Sequence, residues 1–593
     1  MPSINNRLNL VGLLMTLISV ALIAQLLSFQ FRLDPAVAQQ LQLRAGSNDS
    51  REIEIKPNRG QIIDRDGDIL AVNRMEYRIA ISPSLVGQDR RETAKDLARA
   101  LDASELDIYQ ALLPDENGIY PGYVVLKSPV TAEVSQAVAD LSIPGIMIEP
   151  IPQRDYPQGS YMTQVLGFVN YNSSGYFGVE EYYQRELAGQ SLITTESNSL
   201  LDISDDSEVR DGQTLQLTID RDVQWIAQQV LDQAVAEYGA LGGTILIMNP
   251  HTGEILAMVS NPSIDLEAYL QDPASRGNAA FTPAVAYTYE PGSTFKVLTA
   301  AAALDIQQPG LDLNWSYTNY GCEQMAGVQI CDWDRVAKGG TTFTTCLVKS
   351  LNTCTSHWLV GTDSVPGVGS TRWYDYLQRF GFGRPTNVDI AGEELGIVNW
   401  PGTSGWNEAN FVQTSFGQGI AVTPIQLMTA INSIANDGLM MQPHIVKRRI
   451  DGDRVFEHTP TPISRPISAA TAQQVLRLMA EVVDNNGEGS KAQIENYQVA
   501  GKTGTSQKIG PDGRYSDTES WASFVGFIPA NDPQISVLVL LDRPTAPGSY
   551  YGSQSAAPTF AKLAQRLVVL LDIPPDAVRN DLINAGGRPF DRE

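Results

Sequence analysis

The chain is 593 residues long, too long for a single compact core, so two or more domains are expected. Hydrophobic residues make up 43% of it and charged residues 18%, as in ordinary folded proteins. Its formal net charge of −25 argues against a nucleic-acid-binding protein, because such a protein needs a basic face to neutralise phosphates.

An uncharged, apolar segment lies close to the N-terminus and begins LNLVGLLMTL. About 20 apolar residues are enough to cross a bilayer as a helix, so we expect a transmembrane anchor over residues 8–28, after a cytoplasmic tail of residues 1–7. A cleaved signal peptide is the alternative, because Ala36, Val37 and Ala38 resemble a cleavage site. In both cases the rest of the chain is exported.

The region that follows predicts a mixed α and β domain without catalytic chemistry. Residues 29–57 are polar and are expected to be a linker. The stretch RGQIIDRDGDILAVN predicts two strands around a hairpin turn at Asp66 and Gly67. Apolar spacing predicts a helix over residues 92–113, and a second helix is expected to end at Gly189. By itself this region is predicted to be structural or to dock a partner.

The second half of the chain has strand patterns at both ends and helical patterns between them. A strand, a helix, a hairpin, a helix-rich stretch, three strands and a helix are predicted at residues 214–219, 222–236, 242–260, 291–437, 497–507, 521–528, 534–542 and 558–571. The two strands of the hairpin, the many helices, the three later strands and the last helix suggest one antiparallel sheet with helices on its faces. The polar tail after Pro574 is expected to be loose.

The four cysteines, Cys322, Cys331, Cys346 and Cys354, contain no CxxC pair, so their spacing predicts no zinc site. In an oxidising compartment Cys322 and Cys331 could close a short loop. Cys346 and Cys354 are expected to be buried thiols, the commoner state of cysteine. The histidines are scattered and are expected to be structural.

The stretch YEPGSTFKVLTA places Ser293 and Lys296 three residues apart at the start of a predicted helix, on one face of it. Serine is a weak nucleophile until a base takes its proton, and lysine is a base only when it is neutral. Burial and the positive end of the helix dipole both disfavour the charged amine. Ser293 could therefore be a nucleophile with Lys296 as its base, but a Ser-x-x-Lys pair alone is a weak signal, because most such pairs are chance pairs on the surface.

Two further motifs follow in the chain. KSLNTC contains Ser350 and Asn352. AGKTGTSQ, on a predicted strand, contains Lys502, Thr503, Gly504 and Thr505. A glycine inside a strand often marks the close approach of a ligand or another backbone. A lysine two residues earlier lies on the same face, where it suits the carboxylate of an extended substrate paired along the strand edge. Taken singly, an ordinary turn and a glycine bulge are the alternatives.

The three motifs, in this order, resemble the set S-x-x-K, S-D-N and K-T-G of the penicillin-binding proteins and serine β-lactamases. Leu351 stands where β-lactamases often have aspartate. Other stretches resemble class B penicillin-binding proteins, among them RGQIIDRDGDILA, NPHTGEILAMVSNP, SFGQGIAVTP and YYGSQSAAP. The resemblance extends to about residue 572, and the last two stretches favour the division (septal) subfamily over the elongation subfamily.

This resemblance implies a multi-domain α/β protein. A transpeptidase domain similar to that of β-lactamases, with an antiparallel five-stranded sheet flanked by helices, is expected over residues 211–573. An elongated α+β pedestal or dimerisation domain over residues 58–210, and one transmembrane helix, are expected before it. A polar tail of residues 574–593 is expected after it.

The resemblance also implies a peptidoglycan D,D-transpeptidase that needs no metal or organic cofactor. Ser293 is expected to attack the carbonyl between two D-alanines of a stem peptide, with Lys296 as base. Ser350 is expected to relay a proton to the departing D-alanine, with Lys502 in the same network. The amides of Ser293 and Thr505 would form the oxyanion hole. An amine from a neighbouring stem peptide then attacks the acyl-enzyme, and β-lactams acylate the same serine by mimicry.

The remaining motif residues are implied to bind the substrate. Asn352 would hydrogen-bond its backbone. Lys502, with the hydroxyls of Thr503 and Thr505, would favour binding of the terminal carboxylate of the substrate. Gly504 lies between these two threonines on the same strand.

The implied location is the plasma (inner) membrane, with a single span and the catalytic domain on the extracytoplasmic side. The implied partners are peptidoglycan stem peptides, β-lactams, a membrane glycosyltransferase and division proteins, and no nucleic acid. A D,D-carboxypeptidase or a β-lactamase is one alternative, although these hydrolases usually lack the long N-terminal module. A β-lactam sensor is another, but only about seven residues precede the expected anchor. A non-catalytic scaffold is the third, and the intact motifs argue against it.

Overall fold

The computed structural model describes residues 13, 15–25, 51–55, 57–170, 173–196, 209–272, 282–484, 487–510 and 513–584. These residues fall into two compact units. The first is drawn from Met1–Pro57 and Gln190–Asp211, and the second from Asn58–Gly189 and Gly212–Glu593.

The first unit contains a two-stranded antiparallel sheet and part of the expected anchor. Arg51–Ile55 pairs with Leu192–Glu196. Residues 15–25 are helical, and their large apolar side chains are exposed. Within the described part of the chain, no helix combines the length and the apolar character needed to span a bilayer. Residues 8–12, 14 and 26–28 of the expected anchor lie outside the described residues.

In the second unit, a seven-stranded sheet combines segments from the N-terminal region and from the second half of the chain. Its strands run in the order Arg454–Glu457, Val446–Asp451, Thr214–Leu217, Ile62–Ile63, Ile69–Ile81 and Val124–Val130, with Ile146–Asp155 also paired to Ile69–Ile81. The predicted hairpin at Asp66 and Gly67 is confirmed, because Ile62–Ile63 and Ile69–Ile81 are antiparallel neighbours. Ile62–Ile63 also runs parallel to Thr214–Leu217, so the sheet joins the N-terminal region to the start of the second half.

The helices of the N-terminal region are shorter than the sequence suggests. They cover Arg90–Leu101, Glu105–Ala111, Ala132–Asp140, Ser160–Leu166, Gly178–Tyr182 and Gln184–Ala188, and a short strand pair covers Phe168–Val169 and Gly175–Tyr176. The single helix expected over residues 92–113 is wrong, because Asp102 adopts a left-handed conformation (φ 47°) and Ser104 caps a new helix. The helix expected to end at Gly189 does end there, but it is two helices.

The predicted five-stranded antiparallel sheet is confirmed. Its strands are β1 (Gly242–Met248), β2 (Ile255–Asn261), β3 (Ala500–Ile509), β4 (Tyr515–Ile528) and β5 (Ile535–Asp542). They lie in the order β2-β1-β5-β4-β3, and every neighbouring pair is antiparallel. The strand β3, which carries the Lys-Thr-Gly motif, is therefore at an edge, where one side of its backbone is left for another chain to pair with.

Helices cover both faces of this sheet. Five helices of this part of the chain are α1 (Arg221–Tyr238), α2 (Lys296–Asp305), α3 (Asn352–Val360), α4 (Ala469–Val483) and α5 (Ala556–Leu570). The side chains of α1 and α5 share one hydrophobic core with Ile245 of β1, whereas those of α2 and α4 share the other core with Leu246. Successive residues of β1 thus face opposite layers, as the alternation of a strand requires.

The remaining elements complete the second half. Its other helices are Leu266–Gln271, Pro283–Ala286, Phe343–Val348, Ser370–Arg379, Glu408–Thr414, Pro424–Ala435 and Asp576–Asn584. Its other strands are Ser316–Asn319, Cys322–Met325, Val328–Cys331, Gly339–Thr342, Ile397–Val398, Ile420–Ala421, Met440–Met441 and Pro462–Ser464. The expectation of a loose tail after Pro574 is wrong for Asp576–Asn584, since it is helical and buries Arg579.

Candidate active site

Ser293 lies in a 3-10 turn, Gly292–Phe295, that runs directly into α2. The prediction that Ser293 and Lys296 stand at the start of one helix is therefore confirmed. Lys296 is fully buried, whereas Ser293 is partly exposed. A partly exposed serine, three residues before a buried lysine, suits a nucleophile that must meet a substrate from outside.

The turn that carries Ser293 packs closely against β3. A Cβ atom added at Gly504 would lie 2.8 Å from the side chain of Thr294 and 3.1 Å from the carbonyl oxygen of Pro291. Ser506, two residues further along β3, donates a hydrogen bond of 2.6 Å to the carbonyl oxygen of Glu290. The prediction that this glycine marks a close backbone approach is confirmed, and the approaching backbone is the nucleophile turn.

Ser350 lies between the helix Phe343–Val348 and α3, in a left-handed conformation with φ 54°. Such a conformation costs a serine about 1 kcal/mol, and residues held in it often lie at functional sites. A disulfide between Cys346 and Cys354 encloses this turn. The expectation that these two cysteines are free thiols is wrong, because Ser350 bends the chain so that both ends of the turn meet.

The second disulfide joins Cys322 to Cys331, as the sequence allowed. The two cysteines face each other across the strand pair Cys322–Met325 and Val328–Cys331. The carbonyl oxygen of Cys331 accepts a hydrogen bond of 2.8 Å from the side-chain amide of Asn352. This strand pair therefore contacts the Ser-x-Asn motif directly.

Lys296 connects the first two motifs. Its Nζ lies 2.7 Å from Oδ1 of Asn352, 2.6 Å from the carbonyl oxygen of Ser350 and 3.3 Å from the hydroxyl of Ser350. The hydroxyl of Ser293 is not among the hydrogen-bond partners of this Nζ. In many enzymes that bond tightens only in the complex with substrate.

Lys502 adds the third motif to the same group of side chains. Its Nζ lies 2.9 Å from the hydroxyl of Ser350. It also donates to the carbonyl oxygen of Thr503, at 3.1 Å, and to the hydroxyl of Thr503, at 3.4 Å. The Ser350 hydroxyl is therefore shared between Lys502 and Lys296. Thr505 is partly exposed on the same strand, and its hydroxyl accepts a hydrogen bond of 3.0 Å from the amide of Gly552.

Both lysines are driven toward the neutral form. Burial, followed by the positive charge of Lys502, holds the pKa of Lys296 well below its usual range, although the carboxylates of Asp332 and Glu488 oppose this. Burial lowers the pKa of Lys502 to about 7, again with Glu488 opposing it. A neutral Lys296 has two N–H groups for the Ser350 carbonyl and Asn352, and it keeps a lone pair that can take a proton.

Sequence reasoning missed three carboxylates around this site. Asp332 and Glu488 act on the lysines electrostatically, and Glu290 accepts hydrogen bonds from the amide of Gly419 (2.9 Å) and the hydroxyl of Tyr515 (3.1 Å). Burial raises the pKa of Glu290. Glu290 lies three residues before Ser293 in the stretch YEPGSTFKVLTA, whereas Asp332 and Glu488 lie outside the three motifs and are brought to the site by the fold.

Two sequence-family models match the chain, a Penicillin-binding Protein dimerisation domain at residues 54–217 and a Penicillin binding protein transpeptidase domain at residues 243–565. Stage V sporulation protein D of Bacillus subtilis is 33% identical over 89% of this chain and 80% of its own length. Peptidoglycan D,D-transpeptidase FtsI of Escherichia coli is 30% identical over 88% of this chain and 86% of its own length.

Solved structures of similar fold include penicillin binding protein 3 from Mycobacterium tuberculosis in complex with aztreonam. It has a TM-score of 0.66 and 27% identity, and the match covers 88% of this chain and 98% of that one. Penicillin Binding Protein 2X from Streptococcus thermophilus has a TM-score of 0.72 and 25% identity, covering 88% of this chain and 81% of that one.

A partly exposed serine at the start of a helix, followed by two buried lysines that share the hydroxyl of Ser350, is typical of serine enzymes that form an acyl-enzyme. The chain belongs, among these enzymes, to the class B penicillin-binding proteins, which carry a dimerisation domain followed by a transpeptidase domain. As a member of this family it is a serine-type D,D-transpeptidase of cell-wall synthesis that binds β-lactams.

Proposed function

We propose that Ser293 is the nucleophile with which this protein cross-links peptidoglycan stem peptides. The observation that carries this proposal is the meeting of Lys296 and Lys502 at the hydroxyl of Ser350. Lys296 follows Ser293 by one helical turn. This arrangement holds a neutral amine next to the nucleophile and a hydroxyl next to that amine. Together they form a path along which a proton can move during acyl transfer.

In acylation, Ser293 Oγ forms a bond to the carbonyl carbon between two D-alanines while its proton passes to the neutral amine of Lys296. The tetrahedral intermediate places negative charge on the former carbonyl oxygen, where the amides of Ser293 and Thr505 donate hydrogen bonds to it. The C–N bond then breaks, and the leaving D-alanine takes a proton from Ser350. Lys296 restores the proton of Ser350, so the base is neutral again.

In the second half-reaction, an amine of a neighbouring stem peptide attacks the acyl carbon of Ser293. The attacking nitrogen loses a proton to the same lysine and hydroxyl, and Ser293 leaves as an alcohol. The product is one cross-link, and D-alanine is the only group released. A β-lactam follows the first half-reaction alone, because opening of its ring leaves no separate leaving group to diffuse away.

The substrate is held along the edge of β3. Its terminal carboxylate pairs with Lys502 and the hydroxyls of Thr503 and Thr505, and its backbone donates or accepts along the strand where Gly504 lies. Asn352 binds the other side of the substrate backbone. The partial exposure of Asn352 and Thr505 supports this role.

We assign the chain regions as in the sequence analysis. Residues 58–210 are the dimerisation domain and residues 211–573 the transpeptidase domain. Residues 8–28 are a single membrane anchor, with the catalytic domain on the extracytoplasmic side of the plasma membrane. The similarity to FtsI of Escherichia coli supports a role at the division septum, with a membrane glycosyltransferase and division proteins as partners. A hydrolase, a D,D-carboxypeptidase or β-lactamase, is the competing activity, since it uses the same acyl-enzyme.

A peptide assay separates the two activities. The full-length protein, in detergent, is given a stem-peptide donor that ends in D-alanyl-D-alanine together with an amine acceptor. We expect the wild type to release D-alanine in amounts equal to the cross-linked product. The variant Ser293→Ala is expected to form neither product. The variant Ser364→Ala, at an exposed serine outside the motifs, serves as the control and keeps the activity. Hydrolysed donor without cross-linked product would assign the hydrolase instead.

A further inference from the structure

A buried carboxylate outside the three motifs holds the start of α3. Asp332 is only 2% exposed. Its Oδ1 accepts hydrogen bonds from the backbone amide of Thr353, at 3.0 Å, and from the hydroxyl of Thr353, at 3.1 Å. Because the cap residue of α3, Leu351, has no side chain that can satisfy the free amides of this helix end, Asp332 supplies that function from another part of the chain.

Asn319 fixes the other oxygen of this carboxylate. Its side-chain amide donates to Oδ2 of Asp332, at 2.7 Å, and to the hydroxyl of Thr353, at 2.8 Å. Its own carbonyl oxygen accepts from the amides of Gly321 and Lys338, at 3.1 and 3.0 Å. Asn319 and Thr353 are fully buried, and the position of the carboxylate is set by three other segments of chain, at residues 319–321, 338 and 353.

The residue before Asp332 contacts the active site itself. The carbonyl oxygen of Cys331 accepts from the side-chain amide of Asn352, which directs Oδ1 of the same amide toward Nζ of Lys296. Residues 331 and 332 therefore hold two consecutive residues, Asn352 and Thr353. The disulfide from Cys331 to Cys322 ties this segment to its neighbouring strand.

Among the residues that the structure describes, no lysine or arginine forms an ion pair with Asp332. A buried carboxylate without a cationic partner is costly unless its hydrogen bonds and the local field compensate for it. Here the compensation comes from the three donors and from the positive end of α3. The negative charge also faces the buried amine of Lys296, which explains its opposing effect on the pKa of that lysine.

We propose that Asp332 is a positioning residue of the active site, which fixes the first turn of α3 and thereby holds the amide of Asn352 against Lys296. This inference rests on the proposed roles of Ser293 and Lys296. In Asp332→Asn, one carboxylate oxygen is replaced by an N–H₂ group that faces the donors of Asn319 or Thr353. The side-chain amide of Asn352 then loses its fixed position relative to Nζ of Lys296.

The test uses the full-length protein in detergent and a fluorescent penicillin. We expect the second-order acylation rate constant of Asp332→Asn to fall about tenfold. Removal of this charge also moves the acidic limb of the pH profile to lower pH by roughly half a unit, since a carboxylate favours the charged lysine. Besides Asp332, the charged groups that face Lys296 are Lys502 of β3 and Glu488 after α4, and both are unchanged in this variant.

Two controls separate positioning from folding. Asp334→Asn makes the same charge change two residues away, at a carboxylate paired with Lys338, and is expected to acylate as the wild type does. Thr353→Val removes the hydroxyl that Asp332 and Asn319 hold, and Thr353→Ser keeps it. We expect slow acylation from the valine variant and the wild-type rate from the serine variant. If Asp332→Asn does not fold, this pair decides the question.

Wild-type acylation and an unchanged pH profile in folded Asp332→Asn, or in Thr353→Val, would overturn the inference. The proposed function fails in a different way, because then the wild-type protein forms no adduct on Ser293 or releases hydrolysed donor peptide without cross-linked product. A general loss of stability would slow both Thr353 variants alike, and thermal unfolding of each variant detects it.

Discussion

Lys296 and Lys502 meet at a single hydroxyl, that of Ser350, with Nζ–Oγ distances of 3.3 and 2.9 Å. Two ammonium groups this close in a buried site repel each other, so the second proton is held weakly. The pKa of Lys296 is depressed well below its usual range and that of Lys502 falls to about 7. The site therefore favours one neutral and one charged lysine near neutral pH, which is what a base and a carboxylate-binding group require.

The pH dependence of acylation follows from this pair. We expect the second-order rate constant for benzylpenicillin to rise with pH as Lys296 loses its proton, and to fall above about pH 7 as Lys502 loses its charge. Lys508→Met, on the same strand but paired with Asp542, is the control and keeps this profile. A rate that is independent of pH up to 10.5, the ordinary lysine pKa, would contradict the assignment.

Burial of Lys502 also costs stability. Its folded pKa of about 7 lies below the ordinary 10.5, so between these values the unfolded chain binds more protons and stability rises with pH. The destabilisation caused by burying Lys502 is complete below about pH 7 and disappears as the pH rises toward 10.5. We expect Lys502→Met to raise the free energy of unfolding at neutral pH by about 1–3 kcal/mol, with a smaller gain at higher pH.

Denaturant unfolding at several pH values measures this effect, and the same variant should acylate far more slowly. The gain illustrates how an active site gives up stability for function. A methionine variant that is less stable than the wild type at pH 7, where the cost is nearly complete, would show that the hydrogen bonds of Lys502 outweigh its desolvation.

Gly504 is expected to tolerate no side chain. A Cβ at this position would lie 2.3 Å from the hydroxyl of Ser523 and 2.8 Å from Thr294, so the strand or the nucleophile turn must move. We expect Gly504→Ala to lower stability by about 1–3 kcal/mol and to slow acylation. Gly340→Ala is the matched strand control, because a Cβ there meets nothing within 4 Å. Equal thermal unfolding of the two variants would refute this account of the close approach.

The disulfide around Ser350 should support both folding and catalysis. Cys346 and Cys354 are eight residues apart, and a cross-link of this size stabilises by about 2–3 kcal/mol through the unfolded state. We expect the double variant Cys346→Ala, Cys354→Ala to lose stability of this order and to acylate more slowly, because the turn at Ser350 is released. Reducing agent should lower the stability of the wild type more than that of the variant, because the variant keeps only the disulfide between Cys322 and Cys331. An unchanged unfolding midpoint in the variant would contradict this.

The sequence predicts the reactive residues of this site better than it predicts the residues that hold them in place. The spacing of Ser293 and Lys296 on one helix, and Gly504 on a strand, are local patterns, so they could be found without the fold. Asp332 and Glu488 act from segments far from the motifs in sequence, and no periodicity marks them. The left-handed turn at Ser350 brings Cys346 and Cys354 together, which a count of spacings does not predict.

The fold, like the site, was predictable from the sequence only in part. The five-stranded sheet was predictable because its strands have strong apolar patterns and clear turns. The break at Asp102 was not, since a left-handed aspartate and the cap at Ser104 override a continuous helical pattern. The helix after Pro574 was missed because its sequence is polar, and it is the burial of Arg579 in the tertiary fold that anchors it.

The most direct test of the account is to find where benzylpenicillin attaches. The full-length protein is incubated with the drug, digested with protease and mapped by mass spectrometry. We expect one drug molecule per chain, on the peptide that contains Ser293, no adduct on Ser293→Ala, and a much slower reaction in Lys296→Ala. An adduct on another residue, or an unmodified wild-type chain, would contradict the assignment of Ser293 as the acylated nucleophile.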